Sequence, residues 1–179
     1  MQFGIFSVSD ITRNPVTGQT PSEAERIQAS VALAKKADEV GLDVFAIGEH
    51  HNPPFFSSSP TTLLAHNAAQ TQRIVLSTAV TLVTTNDPVK LAEDYAMLQH
   101  LSHGRMDLML GRGNTVPVYP WFGQDIRKGA KLHFKLKAPG ARYVRIELTF
   151  LERHFIYRFR YFYEMPDGTE LADPSNTRG

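Results

Sequence analysis

Short, continuously apolar runs alternate with amphipathic segments through the first 128 residues of the chain. The runs at 2–8, 43–48, 73–80 and 105–110 each have the length of a β-strand. Strands that are apolar at nearly every position are typical of parallel strands buried on both faces. Strands that alternate with helices pair in parallel through right-handed crossovers. The pattern predicts an α/β fold with four parallel strands, a partial TIM (β/α) barrel, because a complete barrel has eight strands and about 250 residues.

The segments between these runs carry helix signals. Thr20-Pro21-Ser22-Glu23 predicts a capping box with Thr20 as the N-cap, Pro21 at the first helical position and Glu23 reaching back. Ser59-Pro60 and Asn86-Asp87-Pro88 predict the starts of the second and third helices. The predicted inward faces consist of Ile27, Val31 and Ala34, then Leu63, Leu64 and Ala68, then Leu91, Tyr95 and Leu98.

The second apolar run ends in Glu49, His50 and His51. Loops at the carboxyl ends of parallel strands build the sites of barrel enzymes, and histidine exchanges a proton near neutral pH. Adjacent strand residues point to opposite faces, so we expect one imidazole at the barrel mouth and the other in a structural role. Glu49 and His51 have the spacing of two metal ligands, but a catalytic zinc needs three protein ligands. We therefore predict no metal site.

Composition excludes several function classes. The formal net charge of +1 argues against a dedicated nucleic-acid surface, and the chain contains no cysteine for disulfides or thiolate chemistry. No apolar run approaches the roughly 18 residues of a membrane span. The opening Met-Gln-Phe-Gly-Ile-Phe lacks the regions of a signal peptide, so a cytoplasmic location is expected.

The composition changes near Lys128. Residues 1–128 hold 10 basic and 12 acidic side chains, whereas residues 129–179 hold 9 basic and 6 acidic side chains. The fraction of aromatic residues is more than twice as high in residues 129–179. Apolar residues alternate with polar ones across 132–137, 143–150 and 155–163, which is a strand signal. We predict two domains, 1–128 and 129–179, the second a short antiparallel β tail.

Five segments of the first part of the chain carry a family resemblance. They are Gly48-Glu49-His50-His51, Ser77-Thr78-Ala79-Val80-Thr81-Leu82, Asn86-Asp87-Pro88-Val89-Lys90-Leu91-Ala92-Glu93-Asp94, Leu101-Ser102-His103-Gly104-Arg105 and Leu110-Gly111-Arg112-Gly113. In this order and spacing they resemble the amino-terminal half of the bacterial luciferase-like, flavin-dependent monooxygenases. The resemblance implies a barrel that binds reduced flavin mononucleotide (FMN), activates dioxygen and oxidises a small organic substrate, with a separate flavin reductase as partner.

The resemblance also implies roles for individual residues. His50 stands at the family's catalytic histidine and would handle a proton beside the flavin, with Glu49 in the same catalytic site. Ala79 and Val80 would lie under the isoalloxazine ring, where the family often has a non-proline cis peptide. Arg112, with Gly113, would contact the flavin phosphate, although a Gly-Arg-Gly sequence alone is usually a turn.

The chain departs from the family after Trp121-Phe122-Gly123, where four further barrel strands would follow. The tail instead resembles, over a short stretch, the β-sandwich ahead of the catalytic domain in α-amylase-type enzymes. Two alternatives stay open at this point. In the first alternative, the chain is a non-catalytic truncated or recombined fragment that assembles as a homo-oligomer. In the second, it binds carbohydrate through Tyr157, Arg158 and Tyr161 of the tail.

Overall fold

The computed structural model describes residues 1–127, 131–138, 141–150, 157–165, 167 and 169–172. The chain forms two compact units, Met1–Val118 and Tyr119–Gly179. The domain boundary expected at residue 128 from composition stays a prediction. Within the described ranges, no helix is both long and apolar enough to cross a membrane.

The first unit alternates strands and helices as predicted. Its elements are β1 (Gly4–Ser7), α1 (Glu23–Glu39), β2 (Val44–Ile47), α2 (Pro60–Gln70), β3 (Val75–Thr78), β4 (Thr81–Leu82), α3 (Pro88–Leu101), β5 (Met106–Asp107) and β6 (Leu110–Gly111). A 3-10 helix follows at Val116–Phe122. The strands are shorter than the apolar runs. The run at 73–80 contains only β3, with β4 directly after it, and the run at 105–110 is divided between β5 and the start of β6.

The strands of this unit pair in parallel. A four-stranded sheet has the order β1-β2-β3-β5, and β4 pairs with β6 beside it. Ile5, Phe45, Leu76 and Met106 stand in one register row, and Phe6, Ala46, Ser77 and Asp107 stand in the next. This sheet confirms the predicted fold class, a partial (β/α) barrel with four parallel strands.

The core lies between the sheet and the three helices. Phe45, Ile47 and Leu76 are fully buried on the strands, and Leu64 and Leu98 are buried on α2 and α3. Burying each such side chain contributes about 1.5–3 kcal/mol. Leu91, Tyr95 and Leu98 are all buried on α3, as predicted, whereas Ile27 on α1 is exposed.

The predicted start of α1 was wrong by two residues. Ser22, not Thr20, is the N-cap, and Glu25 takes the place expected for Glu23. The Ser22 hydroxyl accepts from the Glu25 N–H, and the Glu25 carboxylate accepts from the Ser22 N–H at 2.7 Å. The capping box is therefore present, but half a turn later than predicted, and it satisfies the backbone N–H groups of Ser22 and Glu25. The other two predicted starts are confirmed, with Pro60 and Pro88 in the first turn.

Two half-buried charged side chains fix β3 against the helices. Asp38 accepts hydrogen bonds from the N–H groups of Gln72, Arg73 and Ile74 at 2.6–3.0 Å. Burial opposes ionisation of Asp38, but these three N–H groups hold its pKa below the usual range. The Arg105 guanidinium donates to carbonyl oxygens at the end of α2 and in the turn before β3. These hydrogen bonds fix the position of the turn before β3 and therefore the position of β3 in the sheet.

The second unit contains an antiparallel sheet in the order β10-β9-β8-β7. Its strands are β7 (Lys131–Ala138), β8 (Ala141–Phe150), β9 (Tyr157–Glu164) and β10 (Glu170–Ala172). The predicted antiparallel tail is confirmed. Phe155, at the start of the predicted aromatic strand, lies outside the described residues, as do the tail side chains on which the carbohydrate hypothesis depends.

Candidate active site

Glu49 follows β2 and joins the carboxyl ends of neighbouring strands. Only 5% of its surface is exposed. Its Oε2 accepts from the Leu82 N–H at 2.8 Å, and its Oε1 accepts from the side-chain amide of Asn86 at 2.8 Å. Nε2 of His51 lies 2.9 Å from the same Oε1. The buried carboxylate is therefore satisfied by donors from its own loop, from β4 and from the loop after β4.

A second buried pair continues this polar layer toward α3. The hydroxyl of Tyr95 forms a hydrogen bond with the hydroxyl of Thr81. Burial raises the pKa of Tyr95 well above its usual range, and the nearby charge of Glu49 raises it further. Tyr95 is therefore a neutral phenol that links α3 to β4. The sequence placed Tyr95 only in the core, although a buried tyrosine hydroxyl usually has a polar partner.

His50 packs against its own loop. Its ring stacks on Phe55 with a centroid distance of 4.1 Å and an interplanar angle of 17°. Its backbone N–H donates to the carbonyl oxygen of Ser57 at 2.8 Å, which holds the loop after β2. Burial lowers the pKa of His50, His51 lowers it further, and Glu49 opposes the shift. The imidazole is therefore neutral near pH 7 and able to accept a proton.

His50 and the segment between β3 and β4 converge beside Gly48. A methyl group placed on Gly48 would lie 3.3 Å from the carbonyl oxygen of Ala79 and 3.4 Å from Nε2 of His50. The peptide bond between Ala79 and Val80 is cis, as the resemblance implies. Ala79, Val80 and His50 are each half-buried. Because Gly48 has no side chain, the His50 ring and the Ala79 carbonyl oxygen pack close to its backbone, and the half-buried His50, Ala79 and Val80 border one patch.

The glycines around Arg112 have a packing role. A side chain on Gly111 would overlap the side chain of Val80, and one on Gly113 would approach Leu82 to 2.7 Å. Gly113 also has φ +73°, a conformation that favours glycine. The Arg112 carbonyl oxygen accepts from the Thr84 hydroxyl at 2.8 Å. The turn thus places Arg112, half-buried, at the carboxyl edge directly after β6.

The structure brings most of the predicted site residues to one edge of the parallel strands. His50, Ala79 and Val80 lie together there, Arg112 follows the adjacent β6, and Glu49 lies underneath with its oxygens occupied. Asn86, which the sequence reasoning missed, donates both to Glu49 and to the Leu82 carbonyl oxygen. Within residues 1–127 and the described part of the tail, no three potential metal ligands come together.

Comparisons with known proteins identify the family of the chain. Residues 1–137 match the family model described as luciferase-like monooxygenase. The chain belongs to the luciferase-like monooxygenase family. It is 34% identical over 123 residues to the uncharacterized protein YwcH of Bacillus subtilis, which is 68% of this chain and 37% of that protein. It is 34% identical over 96 residues to the N-acetyl-S-alkylcysteine monooxygenase of the same bacterium, 53% of this chain and 29% of that enzyme.

Solved structures of the family share the fold. A monooxygenase from Streptomyces bottropensis superposes with a TM-score of 0.64 at 31% identity, over 72% of this chain and 38% of that one. The oxygenating constituent of 3,6-diketocamphane monooxygenase from Pseudomonas putida, in complex with FMN, gives a TM-score of 0.62 at 24% identity, over 70% and 33%. The chain spans little more than a third of the length of the curated relatives it matches, 37% and 35% for two of them.

Proposed function

We propose that this chain supplies the amino-terminal half of the active site of a flavin-dependent monooxygenase, which oxidises a small organic substrate with reduced FMN and dioxygen. The observation that carries the proposal is the convergence of His50 with the Ala79–Val80 segment beside Gly48. A half-open floor of small residues next to a titratable group is what a flat, redox-active ring requires on one of its faces.

The residues present fit a flavin on its ring side. Gly48 lets His50 and Ala79 pack close to its backbone, and the half-buried Ala79 and Val80 offer a small apolar surface beside the imidazole. Arg112 carries a planar group suited to bidentate contact with phosphate, and Gly113 lets the turn bring it to the same edge. When bound, reduced flavin would supply the electrons that activate dioxygen. The FMN complex of the Pseudomonas putida relative supports FMN as the cofactor.

The proposal gives His50 and Glu49 different roles. His50, neutral and half-buried, takes up or releases a proton at Nε2 beside the ring. Glu49 is a positioning residue, because its carboxylate oxygens are already engaged with Leu82, Asn86 and His51. It holds the end of β2 against the loop after β4, so that the imidazole and the ring floor keep their relative positions.

The direct test is incorporation of isotopically labelled dioxygen into a product. The chain is supplied with FMN and a flavin reductase as the source of reduced cofactor, and with N-acetyl-S-alkylcysteine thioethers, the substrate class named for one relative. Labelled product from the natural chain, with none above background from His50→Ala, is the expected result. Equal labelling by both chains would show that His50 does not take part, and the proposed site would be wrong.

A further inference from the structure

The parallel sheet of the first unit has two open edges. β1 and β5 stand at the ends of the strand order, and no other strand in the described part of the chain pairs with their outer sides. Unpaired strand edges expose backbone donors and acceptors and recruit other strands, and closure into a barrel removes them. Four strands are half of the eight that close a (β/α) barrel.

Large apolar side chains are exposed at both edges. Phe6 on β1 is 55% exposed, and Met109, which follows β5, is 51% exposed. Phe6 stands in the register row of Ala46 and Ser77, next to the row that contains the fully buried Phe45 and Leu76. Alternation therefore places Phe6 on the face opposite to those core residues, which is the face that lines the inside of a closed barrel.

We propose that this surface, the outer sides of β1 and β5 with Phe6 and Met109, docks a second copy of the same chain to complete an eight-stranded parallel barrel. A two-fold axis along the strands sets β1 of each copy beside β5 of the other. Only this arrangement satisfies both edges at once with strands that continue the parallel order β1-β2-β3-β5. A two-fold axis across the sheet would instead pair β1 with β1 in antiparallel fashion and leave both β5 edges open.

The two arrangements predict different cross-links. The natural chain has no cysteine, so Phe6→Cys and Met109→Cys each provide a single thiol. The two variants are mixed in equal amounts, one with an affinity tag that gives the mixed product a distinct mass, and treated with a short bis-maleimide. The barrel arrangement predicts that the mixed product exceeds both self-linked products. A dominant Phe6→Cys self-linked product would overturn the proposal.

Sedimentation equilibrium of the full chain without flavin measures the assembly itself. We expect a dimer whose dissociation constant rises by about tenfold or more in Phe6→Glu, since a buried aromatic anchor contributes at least about 2 kcal/mol to such interfaces. Val16→Glu, at an exposed loop position, leaves the constant unchanged. Circular dichroism confirms that both variants are folded. A monomer at every concentration, or a dimer that Phe6→Glu does not weaken, contradicts the proposal, whatever the outcome of flavin assays.

Discussion

Replacement of Glu49 by alanine tests whether this carboxylate holds the site together. The change removes the acceptor for the Leu82 N–H, for the Asn86 amide and for Nε2 of His51. The Leu82 donor is buried and has no route to water, so its loss costs about 1.5–3 kcal/mol. Asn86 keeps its bond to the Leu82 carbonyl oxygen and loses about 1 kcal/mol. The side chain of His51 keeps 13% of its surface exposed, reaches solvent there and adds little.

The expected loss of unfolding free energy for Glu49→Ala is therefore about 3 kcal/mol. Glu49→Gln keeps one oxygen for Leu82 and is expected to lose about half as much. Urea unfolding followed by circular dichroism measures both, with the shift in midpoint interpreted at constant denaturant slope. Glu93→Ala, at an exposed position on α3, is the matched control and stays within about 0.5 kcal/mol of the natural chain. A Glu49→Ala variant as stable as Glu93→Ala would refute the positioning role.

Four further predictions follow from the same structure. His50→Ala is expected to lower labelled-product formation by about 10²–10⁴-fold with little change in melting temperature, whereas His51→Ala lowers the melting temperature more than turnover; the reverse pattern would exchange their roles. Asp38→Asn is expected to cost on the order of 1–3 kcal/mol above about pH 4. Since the pKa of Asp38 is lowered in the folded state, the difference in stability between Asp38→Asn and the natural chain is lost as the pH falls through that lowered pKa. A difference in stability that does not change with pH would contradict the role given to the Asp38 carboxylate. Gly111→Ala is expected to cost about 1–3 kcal/mol, because the added methyl overlaps Val80, and full stability in urea unfolding would show that this packing is wrong. FMN titrated into the isolated chain is expected to bind weakly, since even one lost charged contact costs about 1.5–3 kcal/mol; a sub-micromolar dissociation constant would show a complete site.

The sequence predicts the fold class and the edge at which the site lies because both depend on local patterns. Continuous apolar runs indicate parallel strands, and the residues that end a run must lie at its carboxyl edge. Pro60 and Pro88 mark helix starts for reasons confined to a single turn. Thr20 and Ser22 offer the same cap chemistry within three residues, so the local pattern does not distinguish them, and the chosen N-cap was wrong by two positions.

The partners of Glu49 are beyond such reasoning. Leu82 and Asn86 lie 33 and 37 residues away along the chain, and their contact depends on how β2 and β4 are placed relative to each other. The packing of Val80 on Gly111 also depends on tertiary structure. The sequence indicates a turn at Gly111, whereas in the fold the missing side chain makes room for Val80. Local patterns identify which residues are available, and the sheet register decides which of them meet.

The central claim, that a flavin ring lies against His50 and the Ala79–Val80 segment, is tested most directly by nuclear magnetic resonance. The isotopically labelled chain is titrated with FMN to millimolar concentration, which detects weak binding and locates it. The largest shifts are expected on Gly48, His50, Ala79 and Val80, and His50→Ala is expected to change them while leaving distant resonances in place. Shifts confined to other surfaces, or no shifts at millimolar FMN, would contradict it.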